Sequence, residues 1–276
     1  MNKPTSLDTN DRFQFGANWK RFLDHLDDSK IKQSEAALKE LLVKNDLSGI
    51  RFLDLGSGSG LSSLAAKNLG AAVVSVDFDP KSVACTGELK RRFHPDDSDW
   101  MVLQGSALDA DFLRSLGQFE VVYSWGVLHH TGAMWIGLEN AISRVAPNGL
   151  LFIAIYNDQG WKSRIWWLIK WFYNRLPSLL QTPYAVGLGL FFYTINIIKY
   201  TLRLRPMEAI GPIFSSNRYR GMTLKHDLID WIGGFPFEFA TYDVLEKYME
   251  TRGFMLISGR QASSLGCHEQ VFCKLP

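Results

Sequence analysis

From Arg51 onward the chain alternates short runs that are apolar at nearly every position with longer stretches of helical periodicity. This alternation leaves few folds open. Arg51–Leu55 (RFLDL), Ala72–Val76, Trp100–Gln104, Phe119–Ser124 and Gly149–Ile155 are of strand length, and Asp77 closes the second. Strands without a polar face are buried on both sides, as in a parallel sheet covered by helices above and below. With right-handed crossovers this predicts a doubly wound, Rossmann-like α/β sandwich. A helix over Leu61–Leu69 follows the first strand. Pro80 opens the helix after the second, where its missing N–H does no harm.

After Tyr156 the rhythm stops. Trp161–Arg205 is apolar, aromatic and helical in pattern, and strand–turn–helix order returns only with a helix over Tyr242–Gly253 and strand-like Phe254–Ser258 and Gln270–Lys274. The expected organisation is a helical cover over residues 1–44, a sheet domain over 45–158 plus 241–276, and a helical insertion over 159–240. Charge follows the same division. Gln159–Met207 holds seven Lys/Arg and no acid, while the rest of the chain has 23 basic against 28 acidic residues. Three cysteines without a CxxC or zinc spacing suit a reducing compartment. The start, MNKPTSLDTNDRF, has no apolar run of signal-peptide length, so the expected location is cytoplasmic.

The chemistry is concentrated in RFLDLGSGSGLSSLAA, Arg51–Ala66. A strand ends in Gly56-Ser57-Gly58-Ser59-Gly60, and a helix follows; glycines let the backbone turn sharply and a ligand approach closely. The spacing is GxGxG. It is neither the GxGxxG of dinucleotide folds nor a phosphate loop, which would need Gly-Lys-Ser/Thr. At the tip of the second strand Asp77 could accept hydrogen bonds from both hydroxyls of a ribose, with Phe78 beside it offering a flat face for a purine.

Asp54-x-Gly56-x-Gly58-x-Gly60, then Asp77, then Gly105-Ser106-Ala107 after the third strand, resembles the class I S-adenosylmethionine-dependent methyltransferases over most of the sheet domain. The resemblance implies S-adenosylmethionine as cofactor, held by Asp54, Gly56, Ser57, Gly58, Gly60, Asp77, Phe78, Ser106 and Ala107. Ser106 stands where many members carry an acid. Phe119–Thr131 (FEVVYSWGVLHHT) looks like the family's fourth strand and following turn, which adds Ser124 and Trp125. The wider resemblance is to polyprenyl-hydroxyphenol (ubiquinone-type) O-methylases. There an aromatic N-terminal helix lies over the cofactor, which implies a role for Asn18 and Trp19. Some of those enzymes bind a divalent metal through carboxylates in the turn that here reads Ser124–His130. This turn has none, so no metal is expected. The competing fold-level reading is a dinucleotide-dependent dehydrogenase.

Methyl transfer asks the protein to align a nucleophile and remove its proton. His129, His130, His226, Glu238 and His268 are candidate bases; His130, at the end of the fourth-strand turn, is favoured, with His226 and Glu238 as alternates. Tyr156-Asn157-Asp158 ends the fifth strand on the same edge of the sheet. Trp161–Arg175 mixes four Trp with four Lys/Arg, and Ser178–Ile198 is uncharged. Three readings compete for residues 161–205: a lid over an apolar substrate, a peripheral membrane contact, and a homodimer surface. The expected acceptor is a small, partly apolar molecule methylated at a hydroxyl, with nitrogen as the alternative atom. RNA methylation is the competing class. It is disfavoured because the basic island is too apolar to track phosphates.

Overall fold

The structure, a computed structural model, describes Leu23 and residues 26–202, 232–264 and 266–276. Chain order is α1 (Asp28–Leu42), β1 (Arg51–Leu55), α2 (Leu61–Asn68), β2 (Ala72–Asp77), α3 (Pro80–Phe93), β3 (Trp100–Gln104), α4 (Ala110–Ser115) and β4 (Phe119–Trp125). A single turn over Leu128–His130 leads to α5 (Met134–Arg144), β5 (Val145–Tyr156), α6 (Trp161–Arg175), α7 (Ser178–Leu202), α8 (Tyr242–Glu250), β6 (Phe254–Arg260) and β7 (Cys267–Lys274). The seven strands lie in the order β3-β2-β1-β4-β5-β7-β6.

The fully apolar strands have the predicted cause. Successive side chains point to opposite faces, and each face has its own core. Phe52, Val121, Tyr123, Phe152 and Ala154 pack with α1, α2 and α3. Leu53, Leu55, Val122, Leu151 and Ile153 pack with α4, α5 and α8. Strands β1 to β5 run parallel. The final strand departs from the parallel expectation: β7 runs antiparallel to both β5 and β6. Only residues 261–266 join β6 to β7, too few for the crossover that a parallel pair needs.

Helix starts are set locally. Asp79 accepts the Lys81 N–H with Pro80 in the first turn of α3, Asp109 caps α4, and Thr241 caps α8. In the region expected to be an insertion, α6 and α7 share a small core of Tyr173, Ala185 and Ile232, and the Trp166 and Phe192 rings meet at 5.2 Å. Among the described residues, no helix is long and apolar enough to cross a membrane.

One polar chain crosses the first core. Trp100 Nε1 donates to Ser75 Oγ (2.9 Å), Ser75 to Ser63 Oγ (2.6 Å), and Ser63 to Asp54 Oδ2 (2.5 Å). It ties β3, β2 and α2 to β1 and ends on a buried carboxyl, whose pKa burial pushes up to about 7 from an ordinary 3.8. A carboxyl raised in this way favours the fold while protonated. The contribution is whole below about pH 4 and is lost as pH rises through about 7. In melts of wild type and Asp54→Asn, the variant's relative stability is therefore expected to climb between about pH 4 and 7 and then level off. A difference independent of pH would mean that Asp54 ionises as it does in the unfolded chain.

Candidate active site

The strand order reverses direction between β1 and β4, and a crevice opens at the carboxyl ends of strands at such a switch point. The glycine loop after β1 forms one wall. It is folded against the tip of β2: the N–H groups of Gly56 and Ser57 both donate to the Val76 carbonyl (2.7 and 3.0 Å), and Gly60 N–H donates to Ser57 (2.8 Å). Gly56 and Gly60 have φ of +94° and +84°. A Cβ at Gly56 would lie 2.2 Å from Val127 Cγ2, and one at Gly60 would lie 2.8 Å from Thr86 Cα. These glycines are therefore needed both for backbone conformation and for close packing. Ser57 turns inward to Thr86 Oγ1 (2.9 Å), and Asp54 lies beneath the loop in the network already described.

Asp77 stands where the loop meets β2. Its Oδ2 accepts Gly58 N–H (2.8 Å) and its Oδ1 accepts Asp79 N–H (2.9 Å). The Phe78 N–H also bonds this carboxyl, and three donors do not exhaust the roughly four acceptor positions of a carboxylate. Burial raises this carboxyl to about 6, against the opposing pull of the Gly58, Asp79 and Phe78 N–H groups. Phe78 next to it is 44% exposed. Across from it, Ser106 Oγ accepts Leu108 N–H (3.1 Å), and the Ala107 carbonyl is held by Asn140 Nδ2 (2.9 Å). Ser106 thus uses its side chain to shape the turn after β3.

The other wall is the turn after β4. Ser124 is fully buried and donates to the Leu55 carbonyl (2.9 Å), clamping β4 to β1; Trp125 Nε1 donates to Glu269 (3.0 Å). Gly126 has φ +74° with open space where a Cβ would lie. Next come the two histidines. The Pro236 carbonyl lies 2.7 Å from His130 Nδ1 and can only accept, so Nδ1 carries the proton and Nε2 the lone pair. Burial and the nearby Lys170 push His130 down to about 3. His129 is 1% exposed and bonds the Ala154 carbonyl through its ring, which leaves Nδ1 buried without a partner. Tyr156, at the end of β5, packs on His129 (4.0 Å between centroids), His130 (5.5 Å) and Phe237 (5.0 Å).

Glu238 is beside this cluster but faces elsewhere. Its two oxygens lie 3.1 and 3.0 Å from Met134 N, and it also accepts the Gly132 N–H. It caps α5, whose own Ala133 offers no side-chain cap. A helix cap is thus its visible work, instead of a base open to an acceptor. His268 holds the Ala262 N–H on Nδ1 in β7. Asn18, Trp19 and His226 lie outside the described residues.

One polar group in the cluster was not singled out from sequence. Lys170 is 2% exposed, with Nζ 4.9 Å from the Phe237 ring centre and 5.9 Å from that of Tyr156. Burial brings its amine down to about 7. The available signal was periodicity: Ser163, Trp166, Lys170 and Tyr173 form the buried stripe of α6, so Lys170 occupies an inward position. Among the described residues, no group of three or more His, Cys, Asp or Glu gathers to hold a metal ion.

A family model described as a methyltransferase domain matches residues 25–184. A ubiquinone biosynthesis O-methyltransferase of Bradyrhizobium diazoefficiens is 26% identical over 141 residues, covering 51% of this chain and 52% of the relative. Its counterpart in Parvibaculum lavamentivorans is 32% identical over 114 residues, covering 39% and 41%. The chain thus spans about half or less of the length of these relatives. Among solved structures, magnesium protoporphyrin IX methyltransferase from Synechocystis superposes with a TM-score of 0.52 at 13% identity, over 88% of this chain and 83% of that one. An O-methyltransferase family protein from Burkholderia thailandensis gives 0.52 at 12% identity, over 90% and 57%. The chain therefore belongs to the methyltransferase-domain family, on the Rossmann-like fold of the class I S-adenosylmethionine-dependent methyltransferases.

Proposed function

We propose that the protein transfers a methyl group from S-adenosylmethionine to a hydroxyl oxygen of a small, partly apolar acceptor. The carrying observation is Asp77: a carboxylate pinned by Gly58 and Asp79 N–H groups between the glycine loop and the exposed Phe78 ring. That arrangement suits a ribose diol on the carboxylate and a purine against the ring, with the close approach of Gly56 and Gly58 giving room along the loop. Ser106 and Ala107 would border the base, and Ser124 and Trp125 would back the reacting end. When bound, S-adenosylmethionine supplies a methyl already activated on a sulfonium.

The acceptor would lie at the ring cluster, a reading supported by Val127 packing into Gly56 and so drawing the His129–His130 turn against the loop. His130 Nε2 is suited to receive a hydrogen bond from the acceptor hydroxyl and orient it. The oxygen preference is supported by the names of the two relatives. The apolar part would lie under α6 and α7, which act as the lid of a region 159–240 inserted between the two parts of the sheet domain. Outward, the same helices expose Trp161 (67%), Leu168, Leu179 (83%), Leu190 and Phe191 among Lys162, Arg164, Arg175 and Lys199, with no acid in either helix. We assign that face to an anionic lipid surface, in keeping with an acceptor that is itself lipophilic.

Three outcomes are expected. Asp77→Ala should weaken S-adenosylhomocysteine binding in calorimetry by at least about tenfold, since each charge-assisted hydrogen bond contributes roughly 1.5–3 kcal/mol. Unchanged affinity would remove the ribose assignment, and a nicotinamide cofactor bound in its place would remove the whole reading. His130→Ala should slow methyl transfer by about 10²-fold or more while leaving cofactor affinity nearly intact; normal turnover would make His130 structural only. The protein should co-sediment with vesicles containing an anionic phospholipid, less so at high salt and in the double variant Trp161→Glu, Leu168→Glu. A concentration-dependent dimer, with no sedimentation at low salt, would reassign the face to self-association.

A further inference from the structure

Register places four residues in one row across the sheet at its ligand edge. Trp125 of β4 lies opposite Ala154 of β5, Ala154 opposite Glu269 of β7, and Glu269 opposite Arg260 of β6. The row belongs to the face of the first core, in which Ala154 is fully buried and Trp125 packs at the margin. Two strand spacings, about 10 Å, separate β4 from β7, yet Trp125 Nε1 donates to Glu269 Oε1 at 3.0 Å. The indole therefore reaches over β5, and the small side chain of Ala154 leaves the way open. Arg260 is a looser partner for the same carboxyl group. Its Nη1 is 3.8 Å from Glu269 Oε2, and its side chain is 72% exposed against 19% for that of Glu269. An ion pair so open to water contributes little. The contact that defines Glu269 is the one to the indole.

Trp125 is the last residue of β4, directly before Gly126 and the turn that carries His129 and His130. The Ala154 carbonyl beneath it accepts the Gly126 N–H (3.2 Å) and bonds the His129 ring, so the strand ends around the indole are themselves fixed. Resting on the methyl-transfer reading above, in which Trp125 backs the reacting end of the cofactor, we propose that Glu269 is a positioning residue. Through the indole N–H it holds the ring in place at that end. An aromatic face attracts a cation. The sulfonium of S-adenosylmethionine carries a positive charge, and the thioether of S-adenosylhomocysteine carries none. Glu269 acts through the ring, so its effect falls on the discrimination between these two ligands and spares the adenosine they share.

The test is calorimetric titration of the full chain with S-adenosylmethionine and, separately, with S-adenosylhomocysteine. Wild type is compared with E269M, E269Q, W125F and the double variant W125F/E269M. In E269M the affinity for S-adenosylmethionine relative to S-adenosylhomocysteine should fall by about fivefold, the size of one modest cation–π contact. E269Q keeps an oxygen that can accept the indole N–H, so it should restore the wild-type ratio. W125F removes the donor from the other side and should lower the ratio as well. Adding E269M to W125F should then change it no further, because the bond is already gone. An unchanged ratio in E269M, an equal loss of both ligands, E269Q behaving as E269M, or a further fall in the double variant would each overturn the proposal. Should E269M not fold, W125F carries the test, and a wild-type ratio there would overturn it. Wild-type protein that binds neither ligand would instead overturn the cofactor reading beneath.

Discussion

The ligand edge of this molecule depends on one close approach. Val127, in the turn after β4, fills the space that a Cβ at Gly56 would occupy, and Gly56 in turn donates to the Val76 carbonyl at the tip of β2. Three strand ends are thereby drawn to one point. Ser124 repeats the clamp one layer deeper through the Leu55 carbonyl. A side chain at residue 56 would push the β4 turn outward and carry His129 and His130 with it, so loop conformation and the position of the rings are a single constraint.

Burial then divides the ionisable groups by task. Asp54, Asp77 and Lys170 are all shifted toward their neutral forms, because each is taken from water. Their partners differ. Asp54 is met by a chain of donors running back to Trp100 and is spent on holding β3, β2, α2 and β1 together. Asp77 is met by the backbone N–H groups of Gly58, Asp79 and Phe78, which fix its plane between the glycine loop and the tip of β2. Lys170 lies over the Tyr156 and Phe237 rings, whose faces favour the cation that burial disfavours.

What could be read from sequence was what neighbours along the chain determine. The glycine loop, the start of α3 at Pro80 and the strands β1 to β5 are local, and the two-sided burial of the strands is written in residues such as Phe52 and Leu53, one for each core. The site residues that changed meaning have partners far along the chain. Glu238 is a plausible base until α5, some hundred residues earlier, is seen to need a cap. His130 loses basicity through burial and then through Lys170, and gains its tautomer through Pro236, none of which is visible from the His-His pair. The direction of β7 follows from a connection too short for a crossover, a constraint legible in the spacing once both strands are recognised.

Lys170 also joins α6 to the ring cluster. Burial beside the Tyr156 and Phe237 rings brings the amine to about 7 from its ordinary 10.5. Were the helix to lift, Nζ would regain hydration and hold its proton throughout the neutral range. The apolar, acid-free outer face of α6 and the buried stripe of Ser163, Trp166, Lys170 and Tyr173 belong to the same fifteen residues. Whatever seats the outer face therefore acts on the basicity of the inner one.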